Sequence, residues 1–419
     1  MLNRARSSPP NCYMSIEISE IELSNGLKPI SVPADCGRSH LLVRYHGHPV
    51  GWIDLWKQTN SAEQMHESIL ENFGQDLVPL VLKQKIAPMK RETFERPVSI
   101  VVGTRDRAEQ LEYCLAALTS LAYKNYEIII VDNAPGNDAT ERLAAKFPVR
   151  YVREYRPGLD YARNRGIAEA SFEIVAFTDD DARPDSNWLR ALNRAFSDPE
   201  VAAVTGPVTP AELETDAQVQ FEFFYGGMSH GFKKRVIKRD FISEKELLWA
   251  SSFGVGANMA FRKNVFEKIG LFDVALDVGT PSGGGGDVEM LHRVVARGHT
   301  LVYDPEALVW HRHRRDLASF KRQLYHNGTG FGCYLLTCAR NRTVGLRSLI
   351  FFVVKNWFGA WLLRRLFRRQ KLRRRIIVRE LLGALASPFA YGAAQRRAKT
   401  ISKRPRVRIQ PVVELRPAK

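Results

Sequence analysis

From Pro97 onward the chain alternates short apolar runs with helical patterns, and that alternation constrains the fold more than any other feature. Val98–Val102 is the first run, and Leu111, Leu115, Leu118 and Leu121 then follow with helical spacing. Tyr126–Val131, Val149–Val152 and Ile174–Phe177 are further runs. Short apolar strands separated by amphipathic helices predict βαβ units, hence an α/β fold around a mostly parallel sheet flanked by helices. Such sheets bind ligands beyond the carboxyl ends of their strands. Polar clusters stand at three of those ends: Thr104-Arg105, Asp132-Asn133 and Asp179-Asp180-Asp181.

Residues 1–95 read as a separate small unit. Leu41–Tyr45 and Val50–Leu55 flank the turn-like His46-Gly47-His48-Pro49, a β-hairpin pattern. Ser61 to about Lys83 has helical spacing at Met65, Ile69, Leu70 and Phe73, interrupted at Gly74. No catalytic constellation occurs there, so a docking or stabilising module is expected. With 45% apolar and 26% charged residues, wholesale disorder is excluded. The 5 cysteines form no CxxC pair, which argues against a disulfide framework and a structural zinc site. The opening MLNRARSSPP lacks the apolar stretch of a secretory signal, so a cytoplasmic location is expected.

Charge is unevenly placed: residues 312–419 hold 27 Lys/Arg against 3 Asp/Glu, and the remainder 35 against 42. A strongly basic tail on a mildly acidic body calls for an anionic surface, either nucleic acid or phospholipid. Between the charges lies Leu349–Leu363, which contains Trp357 and Trp361 and is flanked by Arg347, Arg364, Arg365, Arg368 and Arg369. Interrupted by Lys355 and Asn356, it falls short of the ~20 residues of a membrane span. Apolar and aromatic bulk beside dense arginine fits an interfacial membrane helix, whereas a nucleic-acid tail is more polar between its charges. The expected layout is a small β/α module over 1–95, an α/β domain over 96–320 and a basic amphipathic helical tail over 321–419. The tail would hold the protein peripherally on the inner face of the cell membrane, on anionic lipid rather than nucleic acid.

The Asp179–Asp181 triplet is the sharpest chemical feature. Carboxylates crowded at a strand end repel one another, and hard oxygen ligands suit Mg²⁺ or Mn²⁺ shared with a phosphate. A solvated turn before a helix near Trp188, capped by Asp185 or Ser186, is the alternative. Asp132 is placed to accept a hydrogen bond from a nucleobase, or to serve as a turn residue in Asp-Asn-Ala-Pro-Gly. Thr104, Arg105 and Arg107 face a diphosphate or solvent. Asp160 and Arg163-Asn164 lie about one helical turn apart, as a ligand-binding or simply a capped surface helix allows. Ser282-Gly283-Gly284-Gly285-Gly286-Asp287 joins a glycine-rich loop to a helical pattern, with Asp287 a general base or an N-cap. Trp310-His311-Arg312-His313 follows an apolar run that returns to the sheet, which makes a histidine there a candidate ligand of the same metal.

Val98–Thr104, Asp132, Ala162-Arg163-Asn164, Asp179–Asp181, Gly256–Arg262, Gly285–Met290 and Trp310-His311 occur in this order, and over residues 96–320 the chain resembles family 2 glycosyltransferases of the GT-A fold. The resemblance implies that Asp132 contacts the base of a nucleotide-diphosphate sugar, and that Thr104, Arg105, Arg163 and Asn164 contact its nucleotide. It makes Asp179–Asp181 a DXD motif, with Asp179 and Asp180 at the ribose, Asp179 and Asp181 on Mg²⁺ or Mn²⁺, and His311 completing the metal site. Asp287 matches the base that deprotonates an acceptor hydroxyl. Gly286 stands where the resemblance expects an acidic residue, and Trp310 is not followed by the Gln-x-x-Arg-Trp of processive members. The implied activity is inverting transfer of one sugar to a glycan or lipid-linked acceptor, in cell-envelope or exopolysaccharide synthesis. Three rivals are a sugar-phosphate nucleotidylyltransferase, a non-catalytic membrane or nucleic-acid adaptor, and a phosphatase using Asp-x-Asp-x-Thr, for which Arg183 stands where Thr is required. Val101–Arg107 lacks the longer glycine-rich loop and the lysine of the first.

Overall fold

The structure, a computed structural model, describes residues 15–56, 59–86, 95–367 and 374–402. They divide into two compact units. The first comprises Met1–Pro88 with Pro210–Gly227 and His313–Phe320, and the second Met89–Thr209, Met228–Arg312 and Lys321–Lys419.

In the first unit, β1 (Ser15–Glu22) pairs in parallel with β3 (Cys36–Tyr45), which pairs antiparallel with β4 (His48–Leu55). The short strands β2 (Ile30–Ser31) and β5 (Thr59–Asn60) form a separate antiparallel pair. The expected hairpin is β3–β4. Its two-residue turn puts both His46 (φ 49°) and Gly47 (φ 78°) in the left-handed region, as the tight turns that match strand twist require. The helix Ala62–Ile86 runs through Gly74 instead of breaking there. Its Met65 and Ile69 pack on Leu41, Val43 and Ile53 of the sheet, and that burial outweighs the ~1 kcal/mol cost of one glycine in a helix.

The second unit is built on an eight-stranded sheet. Its strands are β6 (Val98–Thr104), β7 (Tyr126–Asn133), β8 (Arg150–Glu154), β9 (Ile174–Asp179), β11 (Val201–Thr205), β13 (Arg235–Ile237), β14 (Met259–Arg262) and β15 (Thr300–Tyr303), in the order β13-β15-β11-β14-β9-β6-β7-β8. Among these come β10 (Ala182–Pro184), β12 (Val208–Pro210) and β16 (Val309–His311), which form a small second sheet. Only β13 and β14 run against the others, so the large sheet is mostly parallel. Val98, Ile100, Val102, Ile128, Ile130 and Ile174 are buried under Leu111, Leu115 and Leu118 of the helix Ala108–Thr119. On the helix Leu159–Glu169, a Cβ at Gly166 would lie 2.2 Å from Val101. Glycine there lets the helix carrying Asp160 and Arg163 pack directly on β6.

The basic tail is helical where described. Leu317–Asn341 is followed by a continuous helical segment, Leu346–Phe367, and then by Arg374–Ser402. Arg368 and Arg369 lie outside the described residues. Two expectations are corrected here. Leu346–Leu366 is long and apolar enough to cross a membrane by length and composition, because the helix extends past the apolar run at both ends; Ile376–Ser402, not singled out from sequence, meets the same measure. Phe352 and Trp357 are buried within the protein, in an aromatic cluster with Trp249 and Phe331. Residues 352–363 are wound as a π-helix, and the wider turn puts Phe352, Trp357 and Leu362, five residues apart, on one inward face.

Candidate functional site

β6, β7 and β9 are parallel neighbours, with Thr104 level with Asp132 and Gly103 level with Asp179. The three polar strand ends therefore stand side by side. From β6 the chain fills β7 and β8 on one side and returns to β9 on the other. That reversal opens the crevice where α/β sheets hold ligands.

The second sheet brings in the histidine. β16 pairs antiparallel with β10, His311 opposite Ala182, and the Arg312 N–H donates to the Asp181 carbonyl at 3.1 Å. His311 Nε2 then lies 3.1 Å from Asp181 Oδ1. One donor atom from each of Asp179, Asp181 and His311 lies within 4.8 Å of the others. Two carboxylate oxygens and an imidazole nitrogen suit a divalent cation such as Mg²⁺ or Mn²⁺. The electrostatics fit as well. Burial and the neighbouring Asp181 charge raise the Asp179 pKa, a conflict that a cation relieves. Burial acts the same way on Asp181, but His311 and the Arg107 guanidinium outweigh it and hold that carboxyl well below its ordinary range. The solvated-turn alternative does not hold: Asp180 and Asp181 are buried, and the helix Trp188–Ala195 has Asn187 at its N-cap, with no side-chain cap bond from Asp185 or Ser186.

Asp180 faces inward. Its Oδ2 accepts from the Thr104 hydroxyl at 2.7 Å and its Oδ1 from Arg107 Nη1 at 2.5 Å. Arg107 Nη2 donates to Asp181 Oδ2 at 2.6 Å, so Arg107 braces two of the three carboxylates. Burial lifts Asp180 to a pKa of about 7 against the pull of Arg107. Arg105 is half-exposed, its Nε 3.7 Å from Asp106.

Asp132 is fully buried. The Tyr151 hydroxyl donates to its Oδ2 at 2.8 Å, and Oδ1 is buried without a partner. Burial raises its pKa to about 6, opposed by the Tyr151 hydrogen bond. Tyr151 carries no chemical signal in the sequence, where it is one more member of an apolar strand.

Asp287 sits in the first turn of the helix Gly286–Ala296. Its Oδ2 accepts from the Gly256 N–H at 2.7 Å and its Oδ1 from the Val288 N–H at 2.9 Å. A Cβ at Gly256 would lie 2.5 Å from Arg163 Nη2 and 3.1 Å from Asp287 Oδ2. That glycine lets the guanidinium and the carboxylate share one stretch of backbone. Arg163 Nη1 donates to Asp160 Oδ1 at 3.0 Å and to Asp277 Oδ2 at 2.9 Å, all three side chains being buried. Burial disfavours the Arg163 charge, but Asp277, Asp160, Asp287 and Asp179 outweigh it and raise its pKa. Asp277 was not singled out from sequence; only the fold brings it to Arg163.

Gly286 has a structural reason. A Cβ there would lie 2.0 Å from Asp160 Oδ2 and 2.5 Å from the Leu276 carbonyl oxygen. The Asp160 carboxylate occupies the space a side chain at 286 would need. Its Oδ2 is buried without a partner, and burial together with Asp277 raises its pKa well above the ordinary range. Asn164 serves the scaffold: its Nδ2 donates to the Phe272 carbonyl at 2.9 Å and its Oδ1 accepts from the Phe272 N–H at 3.0 Å. His313 bonds Glu222 at 3.1 Å.

The sequence profile described as "Glycosyl transferase family 2" matches residues 99–270, which include Asp132 and the triplet but not Asp287 or His311. Glycosyltransferase AglE of Haloferax volcanii is 28% identical over 222 residues, covering 51% of this chain and 66% of its own length. A pre-mycofactocin glycosyltransferase of Mycobacterium tuberculosis is 25% identical over 238 residues, covering 56% of this chain and 47% of its own length. The chain spans about half to two thirds of the length of these curated relatives. Among solved structures, a mannosyltransferase of Pyrobaculum calidifontis in complex with GDP-Man and Mn²⁺ aligns with a TM-score of 0.44 at 17% identity, over 81% of this chain and 86% of that one.

Proposed function

We propose that the chain, whose residues 99–270 match the glycosyl transferase family 2 profile, acts as a member of that family and transfers one sugar, with inversion, from a nucleotide-diphosphate sugar to an acceptor hydroxyl. The observation that carries this reading is the convergence of Asp132, Asp179, Asp181 and His311 at aligned strand ends. The unpartnered Asp132 Oδ1 receives an N–H of the nucleobase, with Tyr151 fixing the other oxygen. Arg105 meets the diphosphate from the end of β6. Thr104 and Arg163 act from behind, Thr104 by fixing Asp180 and Arg163 by bracing the Asp287 region. Asp179, Asp181 and His311 would hold Mg²⁺ or Mn²⁺, which when bound supplies positive charge to the departing nucleoside diphosphate.

Asp287 takes the proton of the acceptor hydroxyl. The freed oxygen attacks the anomeric carbon from the side opposite the diphosphate, and the carbon–oxygen bond to the diphosphate breaks with inversion. General-base assistance of this kind contributes ~10²–10⁴-fold. Single transfer is supported by the absence of Gln-x-x-Arg-Trp after Trp310. The basic, apolar tail supports peripheral attachment to the inner face of a cell membrane and a role in envelope-glycan or exopolysaccharide synthesis. Calorimetric titration of UDP-, GDP- and dTDP-sugars, with Mn²⁺ and with chelator, tests the reading. Metal-dependent binding of one donor is expected; binding of none would end it.

A further inference from the structure

We infer that the acceptor is a lipid-linked hydroxyl compound, taken from an anionic bilayer on which the two tail helices rest. This rests on the transferase reading above and names the acceptor class that reading leaves open.

The first observation is an apolar face left exposed by the described residues. On Arg374–Ser402, Val378, Leu382, Leu385 and Phe389 recur at intervals of four, three and four, the spacing of one helical stripe. All four are exposed, Leu385 by 64% and Phe389 by 83%. On the preceding helix, Leu346, Ile350, Val354 and Phe358 form a second exposed row, on residues other than the inward Phe352, Trp357 and Leu362. The second observation is charge. Across residues 321–402 the only acidic residue is Glu380, and it is buried, with Trp361 Nε1 donating to its Oε1 at 3.3 Å. Arg347, Lys355, Arg364, Arg379, Arg396 and Lys399 lie on the same two helical segments as the rows. Apolar rows within a mostly positive surface, where Glu244 accepts from the Gly345 N–H at 3.4 Å beside the start of one row, match acyl chains below anionic headgroups. A second copy of the same surface would meet like charge, and a nucleic acid has no use for exposed leucine and phenylalanine.

The third observation ties this face to the base. Gly383 meets the helix Leu317–Asn341 so closely that a Cβ would lie 1.9 Å from the Tyr325 carbonyl oxygen; at Gly328 it would lie 2.0 Å from that of Glu380. Elsewhere on the same helix, a Cβ at Gly330 would lie 2.7 Å from the carbonyl carbon of Gly284, and one at Gly285 2.6 Å from the Gly330 oxygen. Gly284 and Gly285 immediately precede Gly286-Asp287. Backbone thus touches backbone from the stripe-bearing helix to the loop of the base, with no side chain between whose rotamer could change the spacing. The same tail helix also reaches the opposite loop, where Arg397 Nη2 donates to the Pro157 carbonyl at 2.9 Å, beside the start of the Asp160–Arg163 helix. A base held at a set height over a bilayer serves hydroxyls anchored in that bilayer, and soluble glycans gain nothing from the arrangement.

The test uses the full chain, wild type and Leu385→Gln/Phe389→Gln. Two probes are applied: phosphatidylglycerol–phosphatidylcholine vesicles, and radiolabelled UDP-, GDP- and dTDP-sugars with a total membrane-lipid extract of the source organism. The double variant should bind vesicles about tenfold more weakly, transfer correspondingly less label into the chloroform–methanol phase, and bind the nucleotide-sugar as the wild type does. Label confined to water-soluble product, no label in lipid, or equal lipid labelling by the variant would each overturn the acceptor class. Failure of the wild type to bind any nucleotide-sugar strikes the transferase reading instead, and vesicle binding then still decides whether the surface is a membrane face. A variant that has lost its fold is recognised by circular dichroism, and Leu382→Gln then replaces it.

Discussion

Asp179 and Asp181 share one strand end and one histidine, and their cooperation is testable apart from turnover. Asp179→Asn with Asp181→Asn should abolish Mn²⁺ binding in electron paramagnetic resonance while leaving circular dichroism unchanged, because an amide brings no charge to a hard cation. Retained Mn²⁺ binding would remove these residues from the metal site. Asp287→Asn should lower turnover by ~10²-fold or more and leave nucleotide-sugar affinity alone, since its action belongs to the transition state. A change confined to donor KM would make it a binding residue. Gly286→Ala should cost roughly 1–3 kcal/mol of stability in chemical denaturation, because its Cβ meets both Asp160 and the Leu276 carbonyl; a neutral result would mean that the loop moves freely. Asp132 supplies a pH test. Its folded pKa, about 6, is raised above the ordinary 3.8, so its contribution to stability is present at low pH and lost as pH rises through that window. Asp132→Asn escapes the loss. Its melting temperature relative to wild type should therefore climb between pH 4 and pH 7, and a constant difference would contradict the burial argument. The triplet was legible in the sequence because three carboxylates closing an apolar run are conspicuous. Tyr151 and Asp277 were not, since each matters only through a neighbour that the fold supplies.

At the scale of elements, the hairpin β3–β4 and the strand–helix alternation follow from local pattern, and both formed where the pattern put them. The tail helix Leu346–Phe367 did not follow its composition alone. Its aromatic residues divide between an inward face, Phe352 and Trp357, and an outward one, Phe351 and Phe358, a division set by the π-turns against Trp249 and Phe331. The glycine contacts of Leu317–Asn341 make a prediction at this scale. Gly383→Val should wedge the stripe-bearing helix away from its neighbour while leaving Leu385 and Phe389 exposed. Vesicle binding should persist, and transfer into lipid should fall about tenfold or more, the cost of a misplaced base. Unchanged transfer would mean that the two helices need not touch.

For the whole molecule, the separation of a mildly acidic body from a basic tail makes the proposed membrane contact testable by salt. Binding to anionic vesicles should weaken as salt screens headgroup attraction over ~8–10 Å, yet persist in part, because burial of Leu385 and Phe389 does not depend on ionic strength. Complete release at high salt would leave the apolar rows without a role, and equal binding to neutral vesicles would leave the arginines without one. By itself the sequence determined the α/β sheet, the three polar strand ends and a tail both basic and apolar, because period, apolarity and charge are properties of neighbouring residues. Only the tertiary structure decided that His311 reaches Asp181 through β16 and β10, that the Asp160 carboxylate fills the space beside Gly286, and which tail aromatics face inward. Those outcomes depend on strand order and on ångström-scale packing between segments well separated along the chain, which no local pattern records.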